Sequence, residues 1–231
     1  VGQIRFRLAG QEALAAQTEI DGLHADIARL TTDIDDLHRQ IQALKDALKG
    51  GGDGVILKPA IQDITDQLPR TAKDFKRRQA DAIKYLVINH TGGPADLAID
   101  KLAGYHRDRG YPGLAYHYVI DGDGRIMQTN PWTDTVSDQG YLGEGLNIAI
   151  AGSFDNDPPS DVQLQAAAQL CAWLLVELRL LPDVIKGVSE FVSTGSPGAQ
   201  WLKGKRYKDQ LLPLVQKVVE DAAKPGTPQP P

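Results

Sequence analysis

The sequence contains a single cysteine and no long apolar run, and each shortage excludes a class of protein. With Cys171 alone, an internal disulfide and a cysteine-rich zinc cluster are excluded. Cys171 lies in the apolar run QLCAWLLVEL, which is typical of a buried helix, so we expect a buried structural thiol. No apolar stretch approaches the roughly 20 residues of a membrane-spanning helix, and no signal-peptide pattern is visible. We therefore expect no membrane span.

An excess of positive charge is also absent. The chain carries 25 Lys and Arg residues against 30 Asp and Glu residues, which gives a formal net charge of −5. Because binding to phosphates needs a basic face, we expect no nucleic-acid partner. The 231 residues are enough for one full domain and an appendage.

Isoleucine and leucine recur in a strict 3-4 alternation near the N-terminus. The repeat consists of Ile20, Leu23, Ile27, Leu30, Ile34, Leu37, Ile41, Leu44 and Leu48. A straight helix drifts away from a 3.5-residue repeat, so this pattern predicts a left-handed coiled coil and self-association through the seam. Ile at a with Leu at d favours a parallel dimer, and a trimer stays open. The alternative is an amphipathic helix packed on its own domain, although its apolar stripe would be wider. His24 and His38 occupy e positions, where we expect them to be solvated and without function.

Glycine-rich and proline-rich segments divide the chain. Four glycines between Gly50 and Gly54 cannot hold a helix and predict a hinge. The predicted organisation is a coiled-coil oligomerisation helix at 1–49, a hinge at 50–54, a connecting arm at 55–83, a folded domain at 84–223 and a disordered tail at 224–231. We expect a short helix within the arm, around Ile61 to Leu68.

The folded domain has the pattern of an α/β protein. Predicted strands are Tyr85 to Ile88, a hairpin of Leu114 to Ile120 with Arg125 to Thr129, and Leu146 to Ala151; predicted helices are Ala95 to Arg109, a capped helix from Ser160 to about Leu180, and Trp201 to Ala223. This order predicts a mixed β-sheet flanked by helices. The hairpin turn Asp121-Gly-Asp-Gly124 lacks the later glutamate of a calcium-binding loop, so it is interpreted as a turn.

His90 follows the apolar strand of KYLVINHTGG, directly before a glycine-rich loop. A histidine in this place is typical of a metal ligand or a catalytic base, and either role needs partners elsewhere in the chain.

The segments INHT, AGYHRDRGYPGLAYHYVIDGDGRI, LNIAIAGSF and STGSPG occur in this order. In this respect residues 58 to 210 resemble the zinc-dependent N-acetylmuramoyl-L-alanine amidases of type 2, a superfamily that includes phage amidases and animal peptidoglycan recognition proteins. The resemblance implies hydrolysis of the amide between the lactyl group of muramic acid and the first alanine of the stem peptide. It also implies a zinc ion with three protein ligands and one open position for water.

The resemblance assigns the three ligand positions to His90, Val188 and Ser196. Valine has no lone pair, and a neutral serine hydroxyl is a poor zinc ligand. We therefore expect no cofactor, and zinc only if another residue such as Glu190 replaces a missing ligand. His106, on the preceding helix, and His117, on the opposite face of its strand from Tyr116, are not expected to do so.

The resemblance also implies helper residues. Tyr116 matches the assisting tyrosine, Thr194 matches the helper beside the third ligand, and Asp138 lies nearest the place of a further histidine. The predicted binding groove consists of His90, Tyr116, Asp138, Thr194 and Ser196.

Three functions remain open at this point. The first is a catalytically degenerate amidase-like domain that binds peptidoglycan, or serves as a structural module, displayed on a coiled-coil oligomer. The second is an active zinc amidase with atypical ligands. The third is a coiled-coil assembly protein of a phage tail or injection machine. All three imply a location outside the cell, on its surface or on a virion.

Overall fold

The computed structural model describes residues 17–32, 34, 56–137 and 140–223. The chain divides into two compact units, residues 1–46 and residues 47–231.

In the first unit, residues 17–32 form helix α1, and residue 34 is also helical. The described members of the predicted seam are Ile20, Leu23, Ile27, Leu30 and Ile34, and they are 45–59% exposed. A contiguous stripe of exposed aliphatic side chains is unusual for an isolated helix in water. The predicted seam residues Leu37, Ile41, Leu44 and Leu48, the predicted hinge and the predicted tail lie outside the described residues.

The second unit contains a six-stranded sheet with the strand order β1-β5-β4-β7-β3-β8, and a separate two-stranded ladder of β2 and β6. The strands are β1 (Ile61–Asp63), β2 (Lys76–Arg77), β3 (Tyr85–His90), β4 (Tyr118–Ile120), β5 (Ile126–Gln128), β6 (Asp134–Thr135), β7 (Gly145–Ile150) and β8 (Ile185–Gly187). Within the large sheet β4 and β5 pair antiparallel, and the other neighbours are parallel. The predicted mixed sheet is therefore confirmed.

Three helices accompany the sheet, namely α2 (Ile99–Asp108), α3 (Asp161–Leu178) and α4 (Lys208–Ala223). The predicted capping box of α3 is present, because the Ser160 hydroxyl accepts from the Gln163 amide and the Gln163 side chain accepts from the Ser160 amide. On one face of the sheet, Leu102 and Ala103 of α2 pack with Val119 and Ala149. Helix α3 contacts β4 and α4.

Cys171 lies in α3 and is 0% exposed, which confirms the prediction of a buried thiol. Burial raises its pKa to about 12, so the thiol stays protonated and unreactive.

Short elements account for the differences from the predicted fold. The helix predicted around Ile61 to Leu68 is wrong for its first part, because residues 61–63 form β1, which pairs with β5. Only Thr65–Gln67 are helical, as one 3₁₀ turn. Strands β2, β6 and β8 have two or three residues each and carry no recognisable periodicity. Helix α4 begins at Lys208, whereas Trp201 lies in a preceding 3₁₀ turn and is 1% exposed.

Candidate functional site

The carboxyl ends of three neighbouring strands meet at His90. His90 is the last residue of β3 and pairs with Ile150 at the end of β7, which in turn pairs with Ile120 at the end of β4. Binding sites in α/β sheets form at this edge, because loops leave the strands there in different directions. Burial lowers the pKa of His90, with a smaller opposing effect of Asp155, so its imidazole is neutral at pH 7.

Two predicted site residues hold the backbone of His90. The His90 amide donates to Oγ of Ser196 at 3.0 Å, and the Tyr116 hydroxyl donates to the His90 carbonyl at 3.3 Å. The Ser196 amide donates in turn to Oγ1 of Thr194 at 3.3 Å. The structure therefore brings together four residues from three distant parts of the sequence.

Val188, which the resemblance assigns to the position of the second ligand, is part of an apolar cluster. It follows β8, where Gly187 pairs with Ile88 of β3, so the valine lies beside the end of the strand that carries His90. Its side chain is 7% exposed and packs in a cluster with Val87 and Leu142. This position presents only carbon atoms to the site.

A cavity of about 370 Å³ opens beside these residues. Its polar lining includes Asn89, His106, Arg109, Tyr116, Thr194 and Ser196, and Val188 forms part of the apolar wall. His90 contacts this lining through its backbone but does not itself line the cavity. Asp138 lies outside the described residues, whereas its neighbours Val136 and Ser137 line the cavity.

A second cavity, of about 450 Å³, lies beside the start of α2 and contains none of the predicted site residues. Its Asp121 accepts hydrogen bonds from the Asp123 amide and from the Arg125 amide and guanidinium. The carboxylate of Asp121 thus stabilises the hairpin turn, as expected from the sequence.

Comparison with known proteins identifies the family. Residues 79–199 match the N-acetylmuramoyl-L-alanine amidase family. The chain belongs to this family. The matching region contains every predicted site position from His90 to Ser196 and excludes α1.

Among curated proteins, the amidase-like region is 32% identical to peptidoglycan-recognition protein SA of Drosophila melanogaster over 131 residues, which is 52% of this chain and 64% of that protein. It is 30% identical to human peptidoglycan recognition protein 3 over 125 residues, which is 50% of this chain and 37% of that protein. The chain thus spans between about a third and two thirds of the length of these relatives.

Among solved structures, the Ph2119 endolysin of a Thermus scotoductus bacteriophage superimposes with a TM-score of 0.56 at 22% identity, covering 68% of this chain and 99% of the endolysin. Drosophila peptidoglycan recognition protein SA superimposes with a TM-score of 0.52 at 27% identity, covering 61% of this chain and 87% of that protein. These superpositions agree with the mixed sheet and flanking helices described above.

The residues present do not fit the zinc ion that active amidases of this family use. The three positions that the resemblance assigns to the ligands hold one imidazole, a valine packed in an apolar cluster and a serine whose Oγ accepts from the His90 amide. Among the described residues, no three His, Cys, Asp or Glu side chains lie close enough together to hold a metal ion. In addition, none of the described helices has the length and apolar character needed to span a membrane.

Glu190, the residue considered as a replacement ligand, is engaged elsewhere. Its Oε1 accepts from the Gly187 amide at 2.7 Å and from Nε1 of Trp201 at 2.8 Å, and its carboxylate pairs with Lys208 at 2.7 Å. Burial would raise its pKa, but the hydrogen bonds from Lys208, Gly187 and Trp201 lower it overall. Glu190 therefore connects β8 to the start of α4.

His117 is also unsuited to binding a metal ion. It is 0% exposed; its Nδ1 accepts from the Asn147 amide at 2.9 Å, which leaves the proton on Nε2, 2.9 Å from the Asp134 carbonyl. Burial and the adjacent Arg78 guanidinium lower its pKa to about 3. His117 is a neutral core residue.

Two residues that line the 370 Å³ cavity, His106 and Arg109, were not predicted from the sequence to belong to the site. Nδ1 of His106 accepts from the Ala115 amide at 3.0 Å, so its proton lies on Nε2. Burial and Arg109 lower the pKa of His106 to about 4, which keeps the ring neutral. Among the described residues that line the cavity, Arg109 is the one with an ionised side chain. His106 and Arg109 both lie in HRDRGYPGLAYHY, the segment that most specifically resembles the amidases. That resemblance was the signal in the sequence that could have identified them as site residues.

Proposed function

We propose that this chain is a non-hydrolysing member of the amidase family that binds peptidoglycan stem peptides in the 370 Å³ cavity. The observation that carries the proposal is which side chains occupy the predicted second and third ligand positions, and what those side chains contact. Val188 is packed with Val87 and Leu142, and Oγ of Ser196 accepts from the His90 amide. Neither position can supply the thiolate, carboxylate or imidazole that zinc requires, so we derive no hydrolytic step.

The cavity supports the binding part of the proposal. Its volume lies within the usual range of about 300–1,000 Å³ for small-ligand sites. A stem peptide offers amide groups and free carboxylates, and the cavity offers matching partners. Nε2–H of His106 is a donor and Arg109 supplies a positive charge. The side-chain oxygen of Asn89 is an acceptor, whereas its amide nitrogen donates to the Val87 carbonyl and to Asn147.

A relative supports the ligand class. Peptidoglycan recognition protein LE was solved in complex with tracheal cytotoxin, a monomeric diaminopimelic acid-type peptidoglycan, and it superimposes on this chain with a TM-score of 0.55 at 23% identity. At this identity the likeness concerns the fold alone, so peptidoglycan as the ligand of this chain is our proposal.

The exposed stripe of α1 supports the display of the domain on an oligomer. Two or more domains on one coiled coil would bind neighbouring stems of the same cell wall, and the second contact would benefit from a high effective concentration. A ligand of this kind places the protein outside the cell, on its surface or on a virion.

Two measurements on the full chain test the proposal. Metal analysis should find well under one zinc ion per chain; stoichiometric zinc would instead support an active amidase with atypical ligands. Sedimentation with insoluble peptidoglycan should retain the protein. Complete recovery in the supernatant would overturn peptidoglycan binding and favour an assembly role for the coiled coil.

A pair of variants in and beside α2 assigns binding to the cavity. Arg109→Ala should weaken retention on peptidoglycan about tenfold, because it removes the positive charge from the lining. Arg107→Ala is the matched control, since Arg107 is exposed, pairs with its neighbour Asp108 and does not line the cavity. Equal effects of both changes would indicate adsorption by general charge and would contradict the assignment.

A further inference from the structure

We propose that Tyr105 is a positioning residue for ligand binding, because its ring holds the guanidinium of Arg109 in place to bind a free carboxylate of the stem peptide. Arg109 lines the 370 Å³ cavity, whereas Tyr105 does not, so the tyrosine acts through the arginine. This inference rests on the proposed function and deepens it. It names the ligand group that Arg109 binds and the residue that prepares Arg109 for it.

The end of α2 brings the two side chains together. Tyr105 and Arg109 are four residues apart, so they lie on the same face of the helix. Arg109 is the residue that ends α2, and its amide donates to the His106 carbonyl at 3.0 Å. The helix therefore sets the point from which the arginine side chain starts, although Tyr105 and Arg109 are both exposed.

The guanidinium of Arg109 stacks on the ring of Tyr105. Its Cζ atom lies 3.5 Å from the centre of the ring, which is van der Waals distance. A guanidinium nitrogen that pointed into the ring would have to come closer still, so the planar group lies flat on the ring face. Because the N–H groups lie in the plane of the guanidinium, stacking covers one of its faces and leaves its donors free.

Within the described part of the chain, no carboxylate competes for this guanidinium. Arg107 pairs with its neighbour Asp108, whereas Arg109 takes part in no ion pair of the described residues. An arginine without a carboxylate partner in its own chain is available for one on the ligand. Its planar fork can bind that carboxylate through two parallel hydrogen bonds.

The ring of Tyr105 is itself held in place. It contacts the imidazole of His106, with ring centres 6.1 Å apart, and Nδ1 of His106 accepts from the Ala115 amide at 3.0 Å. A mobile arginine would lose rotamer freedom when it binds a ligand, and stacking removes part of that cost before the ligand arrives. Tyr105 should therefore strengthen the binding only of ligands that present a carboxylate to Arg109.

Calorimetry with the full chain and two soluble muropeptides tests this selectivity. One muropeptide carries free carboxylates on its stem peptide, and the other is identical except that these groups are amidated. The native chain should bind the free-carboxylate muropeptide about tenfold more tightly than the amidated one. Equal affinity for the two muropeptides would overturn the inference.

Two variants of Tyr105 test the positioning role. Tyr105→Leu removes the ring and keeps an apolar side chain, so it should weaken binding of the free-carboxylate muropeptide about threefold and leave binding of the amidated one unchanged. Tyr105→Phe is the matched control, because phenylalanine retains the ring face and should restore most of the affinity. Unchanged affinity in Tyr105→Leu, or equal losses for both muropeptides, would overturn the inference.

A double variant separates positioning from a direct effect of the ring on the cavity. In the Arg109→Ala background, Tyr105→Leu should have no further effect on the affinity for the free-carboxylate muropeptide, because the residue that it positions is gone. A threefold loss that persists without Arg109 would show that the ring acts on the ligand by another route, and would overturn the inference.

Nuclear magnetic resonance of the unliganded full chain tests the contact without peptidoglycan. Protons above an aromatic face resonate upfield, so the Nε and Cδ protons of Arg109 should be shifted upfield in the native chain and in Tyr105→Phe, but not in Tyr105→Leu. A native chain without this shift would overturn the stacked arrangement. A native chain that shows the shift but binds neither muropeptide would overturn the proposed function, and the role of Tyr105 in binding with it. A native chain that binds the free-carboxylate muropeptide no better than Tyr105→Leu does would overturn this inference alone.

Discussion

The backbone amide of His90 donates a 3.0 Å hydrogen bond to Oγ of Ser196, across 106 residues of sequence. The bond fastens the end of β3 to the loop that precedes α4. The serine thus has a structural task at a position where active relatives are expected to hold a metal ligand.

Removing this acceptor should destabilise the domain. In Ser196→Ala the part-buried His90 amide loses its partner, and we expect a loss of about 1 kcal/mol in the free energy of unfolding. Urea denaturation at neutral pH measures it. Ser193→Ala, in the same loop, serves as the control and should change stability by less than about 0.5 kcal/mol, because Ser193 is exposed. Equal stability of Ser196→Ala and the native chain would show that water replaces the serine at no cost.

Restoring the missing ligands should restore zinc binding. In the double variant Val188→His/Ser196→Cys, an imidazole and a thiolate join His90, which completes a three-ligand set. We expect about one zinc ion per chain by metal analysis and a higher melting temperature with zinc than with a chelator. Without zinc the variant should be less stable than the native chain, because an imidazole replaces a valine packed in the cluster with Val87 and Leu142.

The matched control for this variant is Val192→His/Ser196→Cys. Val192 packs against the same cluster and lines the same cavity, but it does not hold the predicted ligand position. A double variant at Val188 that folds and binds no zinc would contradict the assignment of the ligand positions.

The sequence was sufficient to predict the features that depend on long, regular patterns. Strand β3, the capped helix α3 and the hairpin of β4 and β5 follow from apolar runs, a capping box and an Asp-Gly turn, and their periodicity extends over enough residues to be recognised. The motif resemblance alone singled out His90, and it assigned the positions of its two partners to Val188 and Ser196, an assignment that stays a prediction. Strand β1 was missed because three residues carry too little pattern, and pairing with β5 decides their conformation.

The cavity could be predicted only in part, because it is built by tertiary contacts. His106 and Arg109 lie on or directly after a helix that the sequence assigns correctly, but their place in the lining depends on how α2 packs on the sheet. The sequence suggests Glu190 as a replacement zinc ligand because it lies two residues beyond Val188. Its hydrogen bonds to Gly187, Trp201 and Lys208 connect elements whose proximity no local pattern reveals.

The buried His117 should make the domain sensitive to mild acid. Its pKa is about 3 in the folded chain and near 6.5 in an unfolded one, so the unfolded state binds the extra proton first. The stabilisation is fully present above pH 6.5 and is lost as pH falls from there towards 3, at up to about 1.4 kcal/mol per pH unit. Urea midpoints should therefore change little between pH 7.5 and 6.5 and should decrease at pH 5.5 and again at pH 4.5.

The variant His117→Asn tests whether His117 causes this dependence of stability on pH. The asparagine should lower stability at pH 7.5 and reduce the dependence on pH, since the group that titrates has been removed. His24→Gln is the control, because His24 is exposed in α1 and should not affect unfolding of the domain. An unchanged slope in His117→Asn would assign the acid sensitivity to another group, such as His106 with its pKa of about 4.

Substitution by alanine should lower the stability of the domain at Gly187 and raise it at Gly104. A Cβ at Gly187 would clash with Nε1 of Trp201, a ring that is 1% exposed and donates to Glu190. Gly187→Ala should therefore displace the indole and cost about 2 kcal/mol or more of unfolding free energy. Gly104 lies inside α2, where an added methyl group would meet no atom within 4 Å beyond the adjoining helix backbone, so Gly104→Ala should stabilise the domain by up to about 1 kcal/mol. Thermal denaturation of both variants measures the contrast, and a stable Gly187→Ala protein would mean that Trp201 can move without breaking its bond to Glu190.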